Sequence, residues 1–186
     1  MTQLDLSNLS FLVVDDNAFM RKLLKSMLAA VKVGDIQDAS DGVGAFKMMK
    51  DGYAPDVILT DAKMPVMSGL ELTRWVRTAE EVARNDIPII LVTAFTESKV
   101  VIAARDAGVD EFLAKPVAAE DLLQRVERVL TNPRPYVQSS VYNGPERRRK
   151  QARLKGEDRR DPEQDPPHPR STPPVQQPSS PAFQQT

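Results

Sequence analysis

DVILTDAKMPVMSGLEL, residues 56–72, decides how the chain folds. Its VILT run (57–60) is continuous and rich in β-branched residues, as in strands buried on both faces of a parallel sheet. The run ends on an aspartate, Asp61, followed by a turn at Met64-Pro65. Two further runs have the same character: FLVV (11–14) and IPIILVT (87–93). Weaker strands near 35–39 and 110–113 bring the total to five.

Between these runs the apolar spacing becomes helical. Residues 18–31 place Phe19, Leu23, Met27 and Ala30 on one face, with Arg21, Lys22 and Lys25 off it. Residues 69–83 do the same with Leu70, Thr73, Val76 and Ala83, and residues 118–130 with Leu122, Val126 and Val129 or Leu130. Asp41-Gly42 and Asp51-Gly52 bracket a short helix, and Gly108 stops another that begins near 97. Pro88 opens its strand, where a missing ladder donor is tolerated. Strict β-α alternation specifies an α/β domain with a parallel sheet.

Composition divides the chain. Residues 133–186 hold 11 of the 15 prolines, whereas residues 1–132 hold nearly all the aliphatic side chains. The front segment has 15 Lys+Arg against 20 Asp+Glu, a net of −5; the tail has 10 against 6, a net of +4. Cysteine is absent, which excludes a disulfide framework, a thiolate metal site and a cysteine nucleophile. The N-terminus lacks a signal-peptide pattern and no run is long enough to span a bilayer, so a cytoplasmic location is expected.

In open α/β sheets, chemistry gathers at the carboxyl ends of the strands. Here those ends carry Asp15-Asp16, Asp61, Thr93 and, after Phe112-Leu113-Ala114, Lys115-Pro116. Three carboxylates along one edge repel one another unless a cation or protons intervene. Oxygen ligands of this kind suit Mg²⁺. Lys115 and Thr93 are then placed to hold the oxygens of an anion, the first as a point charge and the second as a hydroxyl donor. Taken singly, each residue has a plainer reading. Asp15-Asp16 also makes a helix N-cap, Thr93 a cap, Lys115 a solvated lysine and Phe112 a core aromatic. Their joint spacing favours a site.

With FLVVDDNAFMRKLL, DASDGVGA, DVILTDAKMPVMSGLEL, ILVTA and FLAKP in this order, residues 8–132 resemble the response-regulator receiver family, most closely its chemotaxis-type single-domain members. The resemblance implies a doubly wound, flavodoxin-like five-stranded sheet of order 2-1-3-4-5. It implies that Asp61 is the phosphoacceptor, and that Asp15, Asp16, Asp61 and the backbone carbonyl of Lys63 bind Mg²⁺. Lys115 and Thr93 would assist catalysis, with Thr93 and Phe112 as the switch pair. The implied donor is a histidine kinase or histidine phosphotransfer protein. The implied output is a downstream protein bound by the surface around the fourth helix, in a signalling switch rather than an enzyme.

Rival folds with related chemistry fit less well. Haloacid-dehalogenase-type phosphatases need a second aspartate two residues after the nucleophile, where this chain has Lys63. Neither GxxxxGK nor GxGxxG follows the first strand. Three departures from the family pattern stand out. Ser68 replaces a common acidic residue, Phe112 lacks a tyrosine hydroxyl, and Lys63 and Phe95 occupy the variable positions flanking the phosphoryl site. The last two are expected to crowd the attacking water and tune the phosphoryl lifetime.

The chain therefore parses as a receiver domain (1–132), a basic linker (133–161) and a Pro/Gln/Ser-rich tail (162–186) expected to be disordered. The linker contains a near-repeat, GPERR (144–148) and GEDRR (156–160). Three readings remain for it: a solvated linker, a protein-docking element, or a patch for nucleic acid or an anionic membrane. Interleaved acidic residues and few aromatics weaken the last. His168 is read as inert.

Overall fold

Five short strands pair in parallel in the computed structural model, which describes residues 4–80, 82, 84–94, 98–139 and 142–147. They are β1 (Ser10–Val14), β2 (Asp35–Ala39), β3 (Val57–Asp61), β4 (Ile89–Thr93) and β5 (Glu111–Ala114). Their order is β2-β1-β3-β4-β5, as the sequence leads one to expect. Alternate strand residues face opposite sides of a sheet. Phe11 and Val13 accordingly join a core with Leu24, Leu28, Leu122 and Val126, while Leu12 and Val14 join Met49, Leu72 and Val76. Both faces are covered, so strands β1, β3 and β4 read as unbroken apolar runs.

The helices are α1 (Ala18–Ala30), α2 (Gly42–Lys50), α3 (Gly69–Thr78), α4 (Ser98–Ala107) and α5 (Ala119–Thr131). The α5 face is the expected one, with Leu122, Val126 and Val129 buried. The α1 face is not. Leu24 and Leu28 are its buried residues, and Phe19 is 73% exposed. Two apolar stripes run down this helix one residue apart, and burial of Leu24 and Leu28 in the core selects the second. The third helix also ends early, at Thr78, because Ala79 takes an extended backbone. Ala83 lies outside the described residues.

Residues 136–145 depart further from expectation. Where the sequence suggests a linker, β6 (Tyr136–Gln138) and β7 (Asn143–Pro145) pair as an antiparallel hairpin. This hairpin belongs to the same compact unit as the sheet. It closes over Arg77, which is 1% exposed. All five guanidinium donors are satisfied: Nε and Nη2 reach the Gly108 carbonyl at 3.0 and 2.9 Å. Nη1 reaches the carbonyls of Asn85 and Ile87, both at 2.7 Å, and Nη2 also reaches the Asp110 carboxylate at 2.8 Å. The Tyr136 ring lies 5.9 Å from the guanidinium. Gly108 sits at φ +98°, a backbone that favours glycine, and a Cβ there would press on Arg77 Cγ at 3.0 Å. The second near-repeat copy, His168 and the rest of 148–186 lie outside the described residues.

Two stability predictions follow from this framework. Arg77→Leu strands the Asp110 carboxylate and several buried carbonyls, and should cost about 3–5 kcal/mol in urea unfolding. A loss below about 1 kcal/mol would contradict this role. Val66 is a β-branched residue held at φ +67°, in a γ-turn closed by Met67 N–H on the Pro65 carbonyl at 2.8 Å. Glycine alone escapes the Cβ strain of that backbone, so Val66→Gly should raise the urea midpoint by a stability gain of about 1 kcal/mol, with unchanged slope.

Candidate functional site

The strand order reverses between β1 and β3: from β1 the chain crosses to β2 on one side and then to β3 on the other. At such a switch point the loops diverge and leave a crevice. Adjacent strands β1 and β3 deliver Asp15 and Asp61 to it, and Asp16 follows on the loop. One carboxylate oxygen from each of the three lies within 4.8 Å of the others. Asp15 is buried, Asp16 exposed and Asp61 half-buried.

Each carboxylate is oriented locally. Asp15 Oδ1 accepts from the Asn17 N–H at 2.8 Å, and Asn17 in turn caps α1 through bonds from Phe19 and Met20. The sequence reading missed Arg21, whose Nη1 donates to the Asp15 carbonyl at 2.7 Å while its Nε pairs with Asp38. Its position one turn beyond the α1 cap was the available signal. Asp61 Oδ1 accepts from the Ala62 N–H at 2.8 Å. Immediately behind it, the start of α3 presses on β3. A Cβ on Gly69 would fall 2.0 Å from the Asp61 carbonyl oxygen, so only glycine fits. Ser68 serves as the α3 N-cap in a reciprocal capping box with Glu71, so its replacement of an acidic residue leaves the loop well anchored.

Lys115 arrives from the end of β5, and its peptide bond to Pro116 is cis. Its N–H donates to the Thr93 carbonyl at 2.9 Å. Its Nζ lies 2.8 Å from Asp15 Oδ2, 100 residues away in sequence, and 3.4 Å from Asp61 Oδ2. Burial alone would lower the Lys115 ammonium. The Asp15 hydrogen bond and the charges of Asp61 and Asp15 outweigh it, and the net shift is upward. Asp61 is pushed above the ordinary carboxylate range: burial is the largest influence, Lys115 opposes it, and Asp15 adds to it. Like charges crowded in this way favour a cation between them. The donor set is all hard oxygen, which fits Mg²⁺.

The other expected residues fall around this corner. Thr93 is buried at the end of β4. Phe112 is partly buried against Ala62, Leu91, Ala104 and Val109, under α4. Both line a cavity of about 550 Å³ on the far side of β5. Lys63 is exposed, two residues past Asp61. Phe95 lies outside the described residues. Among those residues, no helix is long and apolar enough to cross a membrane.

The response regulator receiver domain family profile matches residues 11–127. A chemotaxis protein CheY homolog of Campylobacter jejuni is 36% identical over 122 residues, which cover 66% of this chain and 92% of the relative. Chemotaxis protein CheY-3 of Vibrio cholerae is 33% identical with the same coverage. Among solved structures, the receiver domain of a sensor histidine kinase from Pseudomonas aeruginosa, with a magnesium ion coordinated in its active-site cleft, superposes with a TM-score of 0.58. That structure is 28% identical, covering 67% of this chain and 98% of that one. The fold, the order of the strand-end residues and these matches agree: the chain belongs to the response regulator receiver domain family and is a CheY-like component of two-component signalling.

Proposed function

We propose that Asp61 accepts a phosphoryl group from a phosphohistidine of a kinase or phosphotransfer protein. The observation that carries this is the Lys115 ammonium set between Asp15 and Asp61, with Asp16 completing the carboxylate cluster. Asp15, Asp16, Asp61 and the Lys63 backbone carbonyl would hold Mg²⁺. Bound there, Mg²⁺ supplies neutralising charge between the acceptor and the incoming phosphoryl.

In the transfer, an Asp61 carboxylate oxygen forms the new bond to phosphorus as the bond to the donor imidazole nitrogen breaks, and that nitrogen keeps the electron pair. Lys115 moves its partnership from the Asp61 carboxylate to the phosphoryl oxygens. The Thr93 hydroxyl turns towards one of them, and Phe112 follows into the space vacated. The cavity beside these two residues gives that motion room. The new charge at Asp61 is thus read out as a change of packing under α4. Water attacking phosphorus later releases inorganic phosphate and restores the carboxylate. Lys63 and Phe95 set the access of that water. No separate substrate is consumed, so the protein acts as a switch rather than an enzyme, and its output is a downstream protein bound at the α4 face.

With phosphoramidate and Mg²⁺, the wild-type protein should gain one phosphoryl group by intact-mass spectrometry. Chelation with EDTA, or Asp61→Asn, should abolish the gain, and Lys115→Ala should slow it at least about tenfold. An equal gain in Asp61→Asn would move the acceptor elsewhere and sink the proposal.

A further inference from the structure

The phosphoacceptor site gives no role to the GPERR stretch (144–148) that the sequence singles out. Its first four residues, with Tyr142 and Asn143 before them, lie in and beside β7. They are braced from within. The Tyr142 hydroxyl donates to the Pro145 carbonyl at 2.7 Å, and the Glu146 N–H donates to the Pro135 carbonyl at 2.8 Å. The Arg147 guanidinium lies 3.9 Å from the Tyr142 ring centroid. The motif's own residues thus hold the hairpin in shape.

What this hairpin meets is the end of α4. Gly108 closes that helix: its N–H donates to the Arg105 carbonyl at 3.2 Å, and the Val109 N–H donates to the Ala104 carbonyl at 3.1 Å. Against this turn β7 runs backbone to backbone. A Cβ on Gly144 would fall 3.1 Å from the Gly108 Cα, and one on Gly108 would fall 3.3 Å from the Asn143 carbonyl oxygen. Two residues before Gly108, Asp106 Oδ1 lies 3.6 Å from Arg147 Nη1 and 3.4 Å from Arg105 Nη2. Tyr136 covers Arg77 beside the same turn. Burial raises the Asp110 carboxyl there, and the charges of Arg77 and of Arg134, from the extension, oppose it. An exposed ion pair such as Arg147–Asp106 contributes little alone. The glycine contact and the cover over Arg77 are the larger part of the grip.

The helix held in this way has little other anchorage. Among the described residues of α4, the buried side chains are Ala104 and Ala107, while Val101 and Ile102 are exposed. Three other helices bury leucine and valine: Leu24 and Leu28 on α1, Leu72 and Val76 on α3, and Leu122, Val126 and Val129 on α5. Alanine removes far less apolar area from water, so packing fixes α4 less than it fixes these three. Elements held by few buried apolar contacts open and shift at the lowest cost.

We propose that the β6–β7 hairpin is a clasp that fastens the carboxyl-terminal end of α4, so that the extension sets the cost of moving that helix. Only the link to Asp61 rests on the phosphoacceptor reading. The seated clasp favours the α4 position described above, and opening it makes the arrangement driven by the phosphoryl group cheaper to reach.

Hydrogen exchange, read amide by amide on the full-length protein, tests this, with Leu28 of α1 and Val126 of α5 as references. Gly144→Val should shift the hairpin amides and speed exchange at Ala104 and Ala107 about tenfold, leaving the reference amides unchanged. Arg147→Ala leaves the buried groups in place and should speed the same two amides about twofold; it decides the matter if Gly144→Val does not fold. Mg²⁺–beryllofluoride, read at the Ala62 amide, should bind both variants more tightly than wild type, Gly144→Val by about fivefold. Wild-type exchange at Ala104 and Ala107 in both variants, equal acceleration at the reference amides, or hairpin amides unmoved by Gly144→Val would overturn the inference. So would a wild type that binds beryllofluoride no more weakly than the variants. If beryllofluoride leaves the wild-type Ala62 amide unshifted while both variants still loosen α4, the clasp stands and the phosphoacceptor reading fails.

Discussion

Three carboxylates held within 4.8 Å of one another form the constraint on which the rest of this structure depends. Nothing in an apolar sheet favours such a cluster, since like charges this close repel one another. The fold brings them together because β1 and β3 are neighbours at the point where the strand order reverses. Lys115 offsets part of the repulsion through its contacts to Asp15 and Asp61. Burial raises the Asp61 carboxyl despite that ammonium, and the Asp15 charge adds to the rise. Its pKa in the folded state lies above its unfolded value, so the folded protein binds this proton more tightly. Stability from this group is therefore present at low pH and lost as pH rises through the folded value. A divalent cation bound there would offset that penalty.

A second charged residue organises the opposite end of the sheet. Arg77 is buried on α3 and ties the Asn85–Ile87 segment, Gly108 and Asp110 together. These acceptors precede the starts of β4 and β5, so the guanidinium ties together the two segments that lead into those strands. The hairpin seals the site with Tyr136. The extension is thus continuous with the domain up to β7, and its arginines reach the face that Phe112 lines.

Much of this was legible in the sequence. Short uninterrupted β-branched runs read as strands covered on both sides, and parallel strands bring the polar residues that end them to one edge. That logic located Asp15, Asp61, Thr93 and Lys115 with no further information. It failed where one local pattern supports two answers. Phe19 and Leu23 form as good an apolar stripe as Leu24 and Leu28, and only tertiary packing chooses between them. It failed also where a residue contradicts its type. A buried arginine reads as solvated until its four acceptors are in place, and they come from separate segments. The hairpin was hidden for a similar reason. Its strands are three residues each, in a stretch rich in proline and arginine, and they depend on Gly108 and Arg77 far upstream.

The central claim is that burial, with the Asp15 charge beside it, makes Asp61 reluctant to ionise until a divalent cation joins the cluster. A carbon-13 NMR titration of the Asp61 carboxyl, in metal-free protein and again with Mg²⁺, measures this directly. The account predicts a metal-free midpoint above the ordinary aspartate range and a clear downward shift with Mg²⁺. A metal-free midpoint at or below that range, or one that Mg²⁺ leaves in place, would contradict it.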